Sequence, residues 1–278
     1  MTTDNTAELP LSEKLMVYIP AYNCAEYIVK VIDEIPDRIW DIADIVVVDN
    51  CSQDNTVKNI QQARYEQRWS KEIHLIQPGH NLGYAGSQKL IYSIAGNAQI
   101  TQHVIMLHGD GQYPPQLLEE FTPYTDSDYD LIYGFRDKSS FPDKEETPFV
   151  TYMIVKTLSV FESLVTGHRR KEWHTGFVMY SKKFLQQINL DDLTDTYHID
   201  GHLQFAAGEI GAKIKAIPIW KRYKDYEQLR GLNRFTYIGH VLRLMVQFRV
   251  KGFSKTTKEA KYPYTQFSII KDSGPKDQ

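Results

Sequence analysis

Cysteines and long hydrophobic runs are both scarce in this sequence. Its 278 residues include two cysteines, Cys24 and Cys51; these are too few for a disulfide-stapled fold, so we expect a reducing, cytoplasmic environment. No stretch reaches the roughly 18 consecutive apolar residues of a membrane-spanning helix, and the N-terminus MTTDNTAELP is too polar and acidic for a secretory signal. A hydrophobic content of 42% and a charged content of 24% are typical of one large globular domain, alone or with an appendage.

Charge is distributed unevenly along the chain. Residues 211–278 contain fifteen Lys and Arg against five Asp and Glu, whereas residues 1–210 contain seventeen against thirty. A basic tail on an acidic body favours a phosphate-bearing partner, an anionic membrane surface or nucleic acid, although a solvated tail has the same composition. No recognised nucleic-acid-binding motif accompanies the basic residues, so we expect no nucleic-acid partner.

Short apolar runs alternate with helical patterns in the first half of the chain. We predict strands at 15–19, 44–49, 73–77, 103–108 and 129–135. This alternation predicts an α/β fold with a mostly parallel central sheet and helices on both faces. Ligands bind such sheets outside the carboxyl ends of the strands, so polar residues at those ends are the candidates for function.

The second half of the chain is less regular. We predict helices at 149–166, 181–188 and 199–210, and strands at 176–180 and 212–219. Three regions follow from the pattern: an N-terminal tail (1–14), a central domain (15–220) and a basic, partly amphipathic C-terminal extension (221–278).

Four polar clusters stand where four successive strands should end. They are Pro20-Ala21-Tyr22-Asn23, Asp49-Asn50-Cys51-Ser52, Asn81-Leu82-Gly83-Tyr84-Ala85-Gly86 and His108-Gly109-Asp110-Gly111-Gln112. Because the carboxyl ends of parallel strands meet at one edge of a sheet, together they should line one crevice.

Each cluster has a chemical use. The ring of Tyr22 offers a face for a flat base, and Asp49 can accept a hydrogen bond from a base N–H. Gly83 and Gly86 permit close approach of the backbone to a ligand beside a helix N-terminus that favours anions. Asp110 is a hard oxygen ligand that suits Mg²⁺ or Mn²⁺ on a diphosphate.

Structural explanations exist for the same residues. A lone Asp at a strand end is usually a turn or cap residue, and Asn23 serves equally well as the cap of the next helix, with Glu26 as its capping-box partner. Tyr22 has the alternative of packing on that helix, and both cysteines suit small buried positions. The order of four clusters at four strand ends favours a common function, because the structural account needs a separate reason for each.

The four motifs together resemble the family-two glycosyltransferases of the GT-A fold, and more narrowly the dolichol-phosphate-mannose-synthase-like branch. IPAYN is similar to the opening strand motif and VVVDNCSQDNT to V-D-D-x-S-x-D-x-T, with Asn50 for the second Asp. NLGYAGSQKLI and HGDGQYPP resemble the two following motifs of the family. The resemblance covers about residues 15–220, which it identifies as a GT-A domain.

The resemblance implies inverting transfer of a sugar from a nucleoside diphosphate sugar, with Mg²⁺ or Mn²⁺ as cofactor. The acceptors that it implies are a polyprenyl phosphate or a saccharide hydroxyl, in the synthesis of cell-surface polysaccharide or glycolipid. The expected nucleotide-sugar-binding residues are Pro20, Ala21, Tyr22, Asn23, Asp49, Ser52, Gly83, Gly86, Gly109 and Asp110. The expected metal ligands are Asp110, Gln112 and His108.

His108 departs from the family pattern, which usually has an Asp at this position. An imidazole does not supply the same negative charge, and its roles remain open between metal binding, a hydrogen bond to the nucleotide and packing. Asp110 is expected to be catalytic through the metal that it binds.

The acceptor side is expected farther along the chain. EWHTGFVMYS resembles a family motif in which His174, Thr175 and Gly176 match, but Val178 stands where an Arg is usual. Asp200 is the candidate general base for a hydroxyl acceptor, whereas a phosphate acceptor needs none. Asp200 also suits a helix cap.

The C-terminal extension resembles the family more faintly. Arg230 and Arg234 in RGLNRF fall near a basic stretch of the branch and are expected on the acceptor side. An amphipathic helical pattern follows, and it suits an anionic membrane surface, packing on the body or an oligomer interface. We therefore expect a cytoplasmic protein with peripheral contact to the inner face of the membrane, and a homo-oligomer is a further expectation.

Two other functions fit parts of the pattern. A sugar nucleotidyltransferase is built on a similar sheet but needs a glycine-rich loop after the first strand, where this chain has Pro-Ala-Tyr-Asn-Cys. A non-catalytic nucleotide-sugar-binding scaffold is compatible with His108 in place of a carboxylate.

Overall fold

The central feature of the fold is one mixed sheet. The computed structural model describes residues 9–223, 234–251 and 267–270. The strands in these residues are β1 (Leu15–Ala21), β2 (Ala43–Asp49), β3 (His74–Pro78), β4 (His103–Met106), β5 (Leu131–Arg136), β6 (Val178–Ser181), β7 (Ile214–Ile219) and β8 (Phe267–Ile269). Their spatial order is β7-β5-β6-β4-β1-β2-β3-β8. β6 runs antiparallel to β4 and β5, β8 runs antiparallel to β3, and the other pairs are parallel.

Helices cover both faces of the sheet. They are α1 (Ile28–Asp33), α2 (Asp37–Ile42), α3 (Thr56–Tyr65), α4 (Gly83–Asn97), α5 (Leu118–Phe121), α6 (Phe149–Thr166), α7 (Lys182–Leu185), α8 (Ile199–Glu209) and α9 (Arg234–Lys251). Alternate residues of β1 divide between the two layers: Val17 and Ile19 pack with α1, α2 and α3, whereas Met16 and Tyr18 pack with α4, α7 and α8. The predicted α/β fold with a mostly parallel sheet is therefore confirmed.

The strand order determines where the crevice lies. From β1 the chain proceeds through β2 and β3 on one side, whereas β4 pairs with the other side of β1. The order reverses at β1, and the loops after β1 and β4 therefore diverge and leave a crevice at their carboxyl ends. The predicted polar clusters follow these strands.

Asn23 does not cap the following helix. α1 begins at Ile28, and Asn23 adopts a left-handed backbone with a φ of 48°. Its Oδ1 instead accepts a hydrogen bond from the Gln53 N–H at 2.8 Å, and its own N–H donates to the Ser52 hydroxyl at 2.9 Å. The loop after β1 is thus tied to the loop after β2, and this long-range pairing overrides the local capping signal.

One helix differs from the expectation that no segment suits a membrane span. By length and composition alone α6 is long and apolar enough to cross a bilayer, with a mean hydropathy of 1.3 and 17% of it buried, and in the described part of the chain it is the one such helix. Its buried residues are Ser159, Glu162 and Thr166, so the face turned to the protein is polar. The Trp173 N–H groups donate to Ser159 and Ser163 at 3.1 and 3.0 Å, which attaches this face to the domain.

The C-terminal extension contributes a helix and a strand. α9 agrees with the predicted amphipathic helix, and its Val241, Leu244 and Met245 form a small core with Trp173 and Phe205. β8 adds an antiparallel edge to β3, and from the N-terminal tail Leu9 is buried. The boundaries at 14 and 220 stay predictions.

Candidate active site

A cleft of about 250 Å³ opens at the carboxyl ends of β1 and β4, and we call it the Tyr22 cleft. The predicted residues that line it are Pro20, Ala21, Tyr22, Gly83, His108, Gly109 and Asp110. The Tyr22 ring is half exposed, so its face is available to a planar ligand. Gly109 lies against β1, where a Cβ would come within 2.8 Å of the Pro20 carbonyl oxygen. The close contact between these two strand ends therefore depends on glycine.

Asp49 is fully buried at the end of β2. One carboxylate oxygen, Oδ2, accepts hydrogen bonds from the Ser52 N–H at 3.1 Å and the Gln77 amide at 2.7 Å. The other oxygen, Oδ1, has no hydrogen-bond partner within the described residues. A buried acceptor without a partner is costly, and a base N–H would satisfy it.

Asp49 does not line the cleft, and three further predicted residues, Asn23, Ser52 and Gly86, support it without lining it. Asn23 and Ser52 hold two loops together, as described above, and Gly86 lies on α4. A Cβ at Gly86 would meet the Leu82 side chain at 2.7 Å. The role of these residues in the geometry is therefore to position their neighbours.

Asp110 and Gln112 occupy a tight turn after β4. The Gln112 N–H donates to Asp110 Oδ1 at 3.0 Å, and Gly111 between them has a φ of 74°. Among the described residues no hydrogen bond engages Asp110 Oδ2. A carboxylate and an amide oxygen are the donors that Mg²⁺ and Mn²⁺ prefer, so this pair fits the expected metal.

His108 packs between two tyrosines, with ring centroids 6.2 Å from Tyr84 and 4.9 Å from Tyr113. Burial lowers the pKa of His108 to about 4, so the ring is neutral at pH 7. Its Nε2 is buried against the backbone of Gly176, where a Cβ would lie 2.5 Å away. Nδ1 is thus the ring atom left for a ligand, and metal binding by His108 stays a prediction.

A second cleft of about 270 Å³ adjoins the first, and we call it the His174 cleft. The predicted residues that line it are Asp110, Gln112, His108, His174, Thr175, Gly176 and Asp200. Tyr84, His108, Asp110 and Tyr197 line both clefts. The predicted acceptor-side segment 174–176 therefore lies next to the end of β4. Arg230 falls outside the described residues, and Arg234 begins α9 without a described side chain.

Asp200 lies in the first turn of α8 and is buried. Its Oδ2 accepts hydrogen bonds from the Tyr84 hydroxyl at 2.9 Å and the Gln88 amide at 3.5 Å, whereas Oδ1 lacks a partner within the described residues. Burial raises the pKa of Asp200 to about 6, although the Tyr84 hydrogen bond opposes the shift. A carboxylate with this pKa suits a general base near neutral pH. Asp200 is not the helix cap, because His198 occupies that position.

Sequence reasoning missed several residues of the His174 cleft. Lys221, just after β7, lies with its ammonium 4.1 Å from the centre of the Tyr113 ring. His198 and Tyr237 also line the cleft. They come from the start of α8 and from α9, and no local motif in the sequence marks them.

A buried ion pair stands behind the same cleft. Arg136 Nε donates to Glu172 at 2.8 Å, and Arg136 Nη2 donates to the His174 carbonyl at 3.2 Å. Burial would raise the pKa of Glu172, but the guanidinium lowers it overall. This pair holds the segment before His174. Val178, where the family pattern has an Arg, is buried in β6.

Comparison with known proteins identifies the family. Residues 16–189, more than half of the chain, match the sequence model of glycosyl transferase family 2. The chain belongs to glycosyl transferase family 2. This family-2 enzyme is 24% identical over 84% of its length to an uncharacterised protein of Methanocaldococcus jannaschii, of which the match covers 92%. A second uncharacterised protein of that organism is 23% identical over 76% of the chain and 89% of its own length.

Solved structures show the same fold. Glucosyl-3-phosphoglycerate synthase from Mycobacterium tuberculosis, in complex with Mn²⁺, UDP and phosphoglyceric acid, superposes with a TM-score of 0.62 at 13% identity. The match covers 86% of this chain and 78% of that one. A complex of the same synthase with Mg²⁺ and UDP gives a TM-score of 0.60 at 14% identity over 86% and 79%. The GT-A expectation is confirmed, and the chain is a glycosyltransferase rather than a nucleotidyltransferase or a scaffold.

Proposed function

We propose that this family-2 enzyme transfers a sugar, with inversion, from a nucleoside diphosphate sugar to a polyprenyl phosphate in cell-surface polysaccharide or glycolipid synthesis. The observation that carries the proposal is the meeting of the two clefts at Asp110, His108, Tyr84 and Tyr197. A donor in the Tyr22 cleft and an acceptor in the His174 cleft would bring their reacting atoms together at this junction.

The Tyr22 cleft fits the nucleotide. The Tyr22 ring offers a stacking face, and the unpartnered Oδ1 of Asp49 can accept an N–H of the base. A divalent cation held by Asp110 and Gln112 would stabilise the charge that develops on the departing diphosphate. The bound UDP, Mn²⁺ and Mg²⁺ of the structurally similar synthase support this choice of donor and cofactor.

The His174 cleft fits an anionic acceptor. Lys221 carries a positive charge into it. A phosphate oxygen is already a nucleophilic anion, so its attack on the sugar requires no proton transfer to a base. The phosphate-bearing acceptor of the similar synthase, phosphoglyceric acid, supports an acceptor of this charge.

A lipid acceptor is supported by the outer face of α6. Its exposed apolar side chains are Phe149, Val150, Met153, Val160, Phe161 and Leu164. α9, which packs on α6, also exposes Leu242, Val246 and Val250. Exposed apolar side chains on two adjoining helices suit an enzyme that lies on a membrane and takes its acceptor from it. On this proposal the protein works at the cytoplasmic face of the membrane.

Asp200 favours a second candidate, transfer to a saccharide hydroxyl. A hydroxyl acceptor must lose a proton, and Asp200 lines the His174 cleft with a pKa raised by burial to about 6. The two candidates differ in whether turnover requires Asp200. Asp200→Asn should abolish transfer to a hydroxyl but leave transfer to a phosphate within a few-fold.

Calorimetry tests the donor assignment. UDP, GDP, CDP and TDP, each with and without Mn²⁺, should yield one preferred nucleotide whose affinity rises with the metal. Asp110→Asn should remove the metal-dependent part of binding and reduce turnover by about 100-fold or more. Asp126→Asn, an exposed carboxylate away from the clefts, is the matched control. Metal-independent binding of every nucleotide would contradict the proposal.

Transfer assays then separate the acceptors. Radiolabelled sugar nucleotide is offered with polyprenyl phosphate in vesicles, with phosphoglyceric acid and with an oligosaccharide. The proposal predicts a lipid-soluble product, and proton NMR of the new linkage should show the inverted anomer. Label in the oligosaccharide alone would establish the second candidate instead.

A further inference from the structure

A buried group of one carboxylate and two imidazoles lies at the wall of the His174 cleft. Glu162 of α6, His174 and His198 each offer a ligand atom, and these atoms all lie within 4.8 Å of one another. The separations are 2.7 Å from His174 Nε2 to Glu162 Oε2 and 3.0 Å from His198 Nε2 to Glu162 Oε1. All three side chains are at least 97% buried.

The polar atoms of this group face one another at close range. Both oxygens of Glu162 and Nε2 of both histidines are shielded from solvent, and within the described residues none has a hydrogen-bond partner of good geometry. The short N···O separations place Glu162 in polar contact with both imidazoles. Four such atoms in one place are rare in a protein interior, and a metal ion between them would satisfy all four.

We propose that Glu162, His174 and His198 bind a divalent first-row transition metal, for which Zn²⁺ is the probe. Two imidazole nitrogens and one carboxylate oxygen are a common catalytic-type zinc ligand set, with bonds of about 2.0–2.2 Å and one position left open. Ligand atoms in such a tetrahedral site lie about 3.3 Å apart, so the imidazoles of His174 and His198 would each need to move about 0.3–0.6 Å away from the Glu162 carboxylate.

Tyr237 supplies the outer support that metal-binding histidines require. Its hydroxyl lies 2.7 Å from Nδ1 of His174 and 3.3 Å from Nδ1 of His198. A metal on Nε2 leaves an N–H on each Nδ1, and a single tyrosine oxygen accepts both. Because Tyr237 lies on α9, the ion would connect α6, α8 and α9.

The site is separate from the proposed metal position at Asp110. The carboxylate of Asp110 does not belong to the group whose ligand atoms lie within 4.8 Å of one another. The two imidazoles beside Glu162 are borderline donors that suit transition metals, whereas Asp110 and Gln112 offer only hard oxygen donors that suit Mg²⁺ or Mn²⁺. The two sites therefore differ in both place and preference.

Zinc titration of the full-length protein tests this site without nucleotide or turnover. The chelator-treated wild type should take up one equivalent of Zn²⁺ in competition with a chromophoric indicator, and so should Asp110→Asn. Glu162→Gln and His198→Gln should bind at least 100-fold more weakly, and Tyr237→Phe 10- to 100-fold more weakly. His168→Gln is the matched control, because His168 faces a single carboxylate, Glu209, at 3.5 Å.

The proposed zinc site and the proposed nucleotide site can fail separately, and the experiments distinguish the two failures. Absence of zinc uptake by the wild type, uptake that Glu162→Gln leaves intact, or uptake that Asp110→Asn abolishes would each overturn the proposed site, whatever the nucleotide result. Should the Glu162 variants fail to fold, X-ray absorption on zinc-loaded wild type decides. Two imidazoles with oxygen support the site, and a shell without imidazole refutes it.

Discussion

Two buried aspartates show how single residues are prepared for a ligand. Asp49 and Asp200 each engage one carboxylate oxygen within the protein and leave the other buried and unpartnered in the described structure. Such an arrangement costs stability in the free protein, because a buried acceptor loses its hydration without a replacement. Residues that carry this cost are candidates for binding or catalysis.

For Asp200 the loss of unfolding free energy caused by the buried carboxylate can be measured as a function of pH. Burial raises its pKa from 3.8 to about 6, so the folded protein binds the proton more tightly than the unfolded chain. Stability is therefore lost as the pH rises from about 4 to 6. Asp200→Asn removes the buried charge and should gain up to about 3 kcal/mol in unfolding free energy above pH 6, with no gain below pH 4.

Urea denaturation at pH 4, 5, 6 and 7 measures this difference. Gln204→Glu is not a suitable control because it adds a charge to the core. Asp54→Asn is suitable, because the pKa of Asp54 is lowered and this variant should instead fall below the wild type in stability as the pH rises. A variant at position 200 that is less stable than the wild type at pH 7 would show that Tyr84 and Gln88 stabilise the carboxylate more than burial destabilises it.

Gly109 is a residue whose small size is required by its neighbours. In Gly109→Ala the new Cβ would lie 2.8 Å from the Pro20 carbonyl and 3.1 Å from Ile28. Backbone does not yield easily, so β1 and the loop after β4 must separate. We expect a loss of about 1–3 kcal/mol in stability and weaker nucleotide binding by calorimetry. Gly79→Ala, with nothing within 4 Å, should change neither.

At the scale of elements, α9 depends on its contacts with α6 and α8. Its sequence predicts an amphipathic helix, but whether that face meets a membrane, the body or another copy is not encoded locally. In the structure the buried face joins Trp173 and Phe205, while Leu242, Val246 and Val250 remain exposed. The helix therefore presents apolar side chains on two sides.

Gly239→Ala tests whether α9 unfolds with the rest of the domain. Gly239 lies inside the helix, and a Cβ added there would meet no neighbouring side chain or distant backbone within 4 Å, so alanine is accommodated and favoured by helix propensity. We expect a gain of about 0.8–1 kcal/mol in unfolding free energy. Hydrogen exchange should show slower exchange across α9 alone if the helix opens independently, an outcome that would contradict a single cooperative unit.

At the scale of the whole molecule, the apolar surface of α6 and α9 predicts attachment to membranes. A single buried aliphatic side chain contributes about 1.5–3 kcal/mol. Val160→Asn combined with Leu164→Asn should therefore reduce co-sedimentation with anionic vesicles by at least about 10-fold. Ile100→Asn, which removes an exposed aliphatic side chain elsewhere, is the control.

Two outcomes would contradict membrane attachment. One is vesicle binding that the double variant leaves unchanged. The other is a wild-type dimer in size-exclusion chromatography that becomes a monomer in the double variant without vesicle binding by either, which would assign the surface to an oligomer interface.

Much of the donor side was predictable from the sequence because its signals are local. Pro20 and Tyr22 lie at the end of β1, and Gly83 and Asp110 lie within a few residues of the ends of β3 and β4; a parallel sheet brings these strand ends together. The acceptor side was predictable only in part. Lys221 and Tyr237 come from separate segments, and their approach to His174 depends on how the second half of the chain packs.

The sequence alone determined the α/β alternation, the strand-end clusters and the family, because period, turn chemistry and motif spacing are properties of neighbouring residues. Tertiary structure decided which polar atoms are left without partners and how Glu162, His174, His198 and Tyr237 converge. Glu162 and Tyr237 come from α6 and α9, His174 from the segment before β6 and His198 from the residue before α8. Burial and convergence at that separation arise only from packing, since no local pattern specifies which distant side chains share an interior.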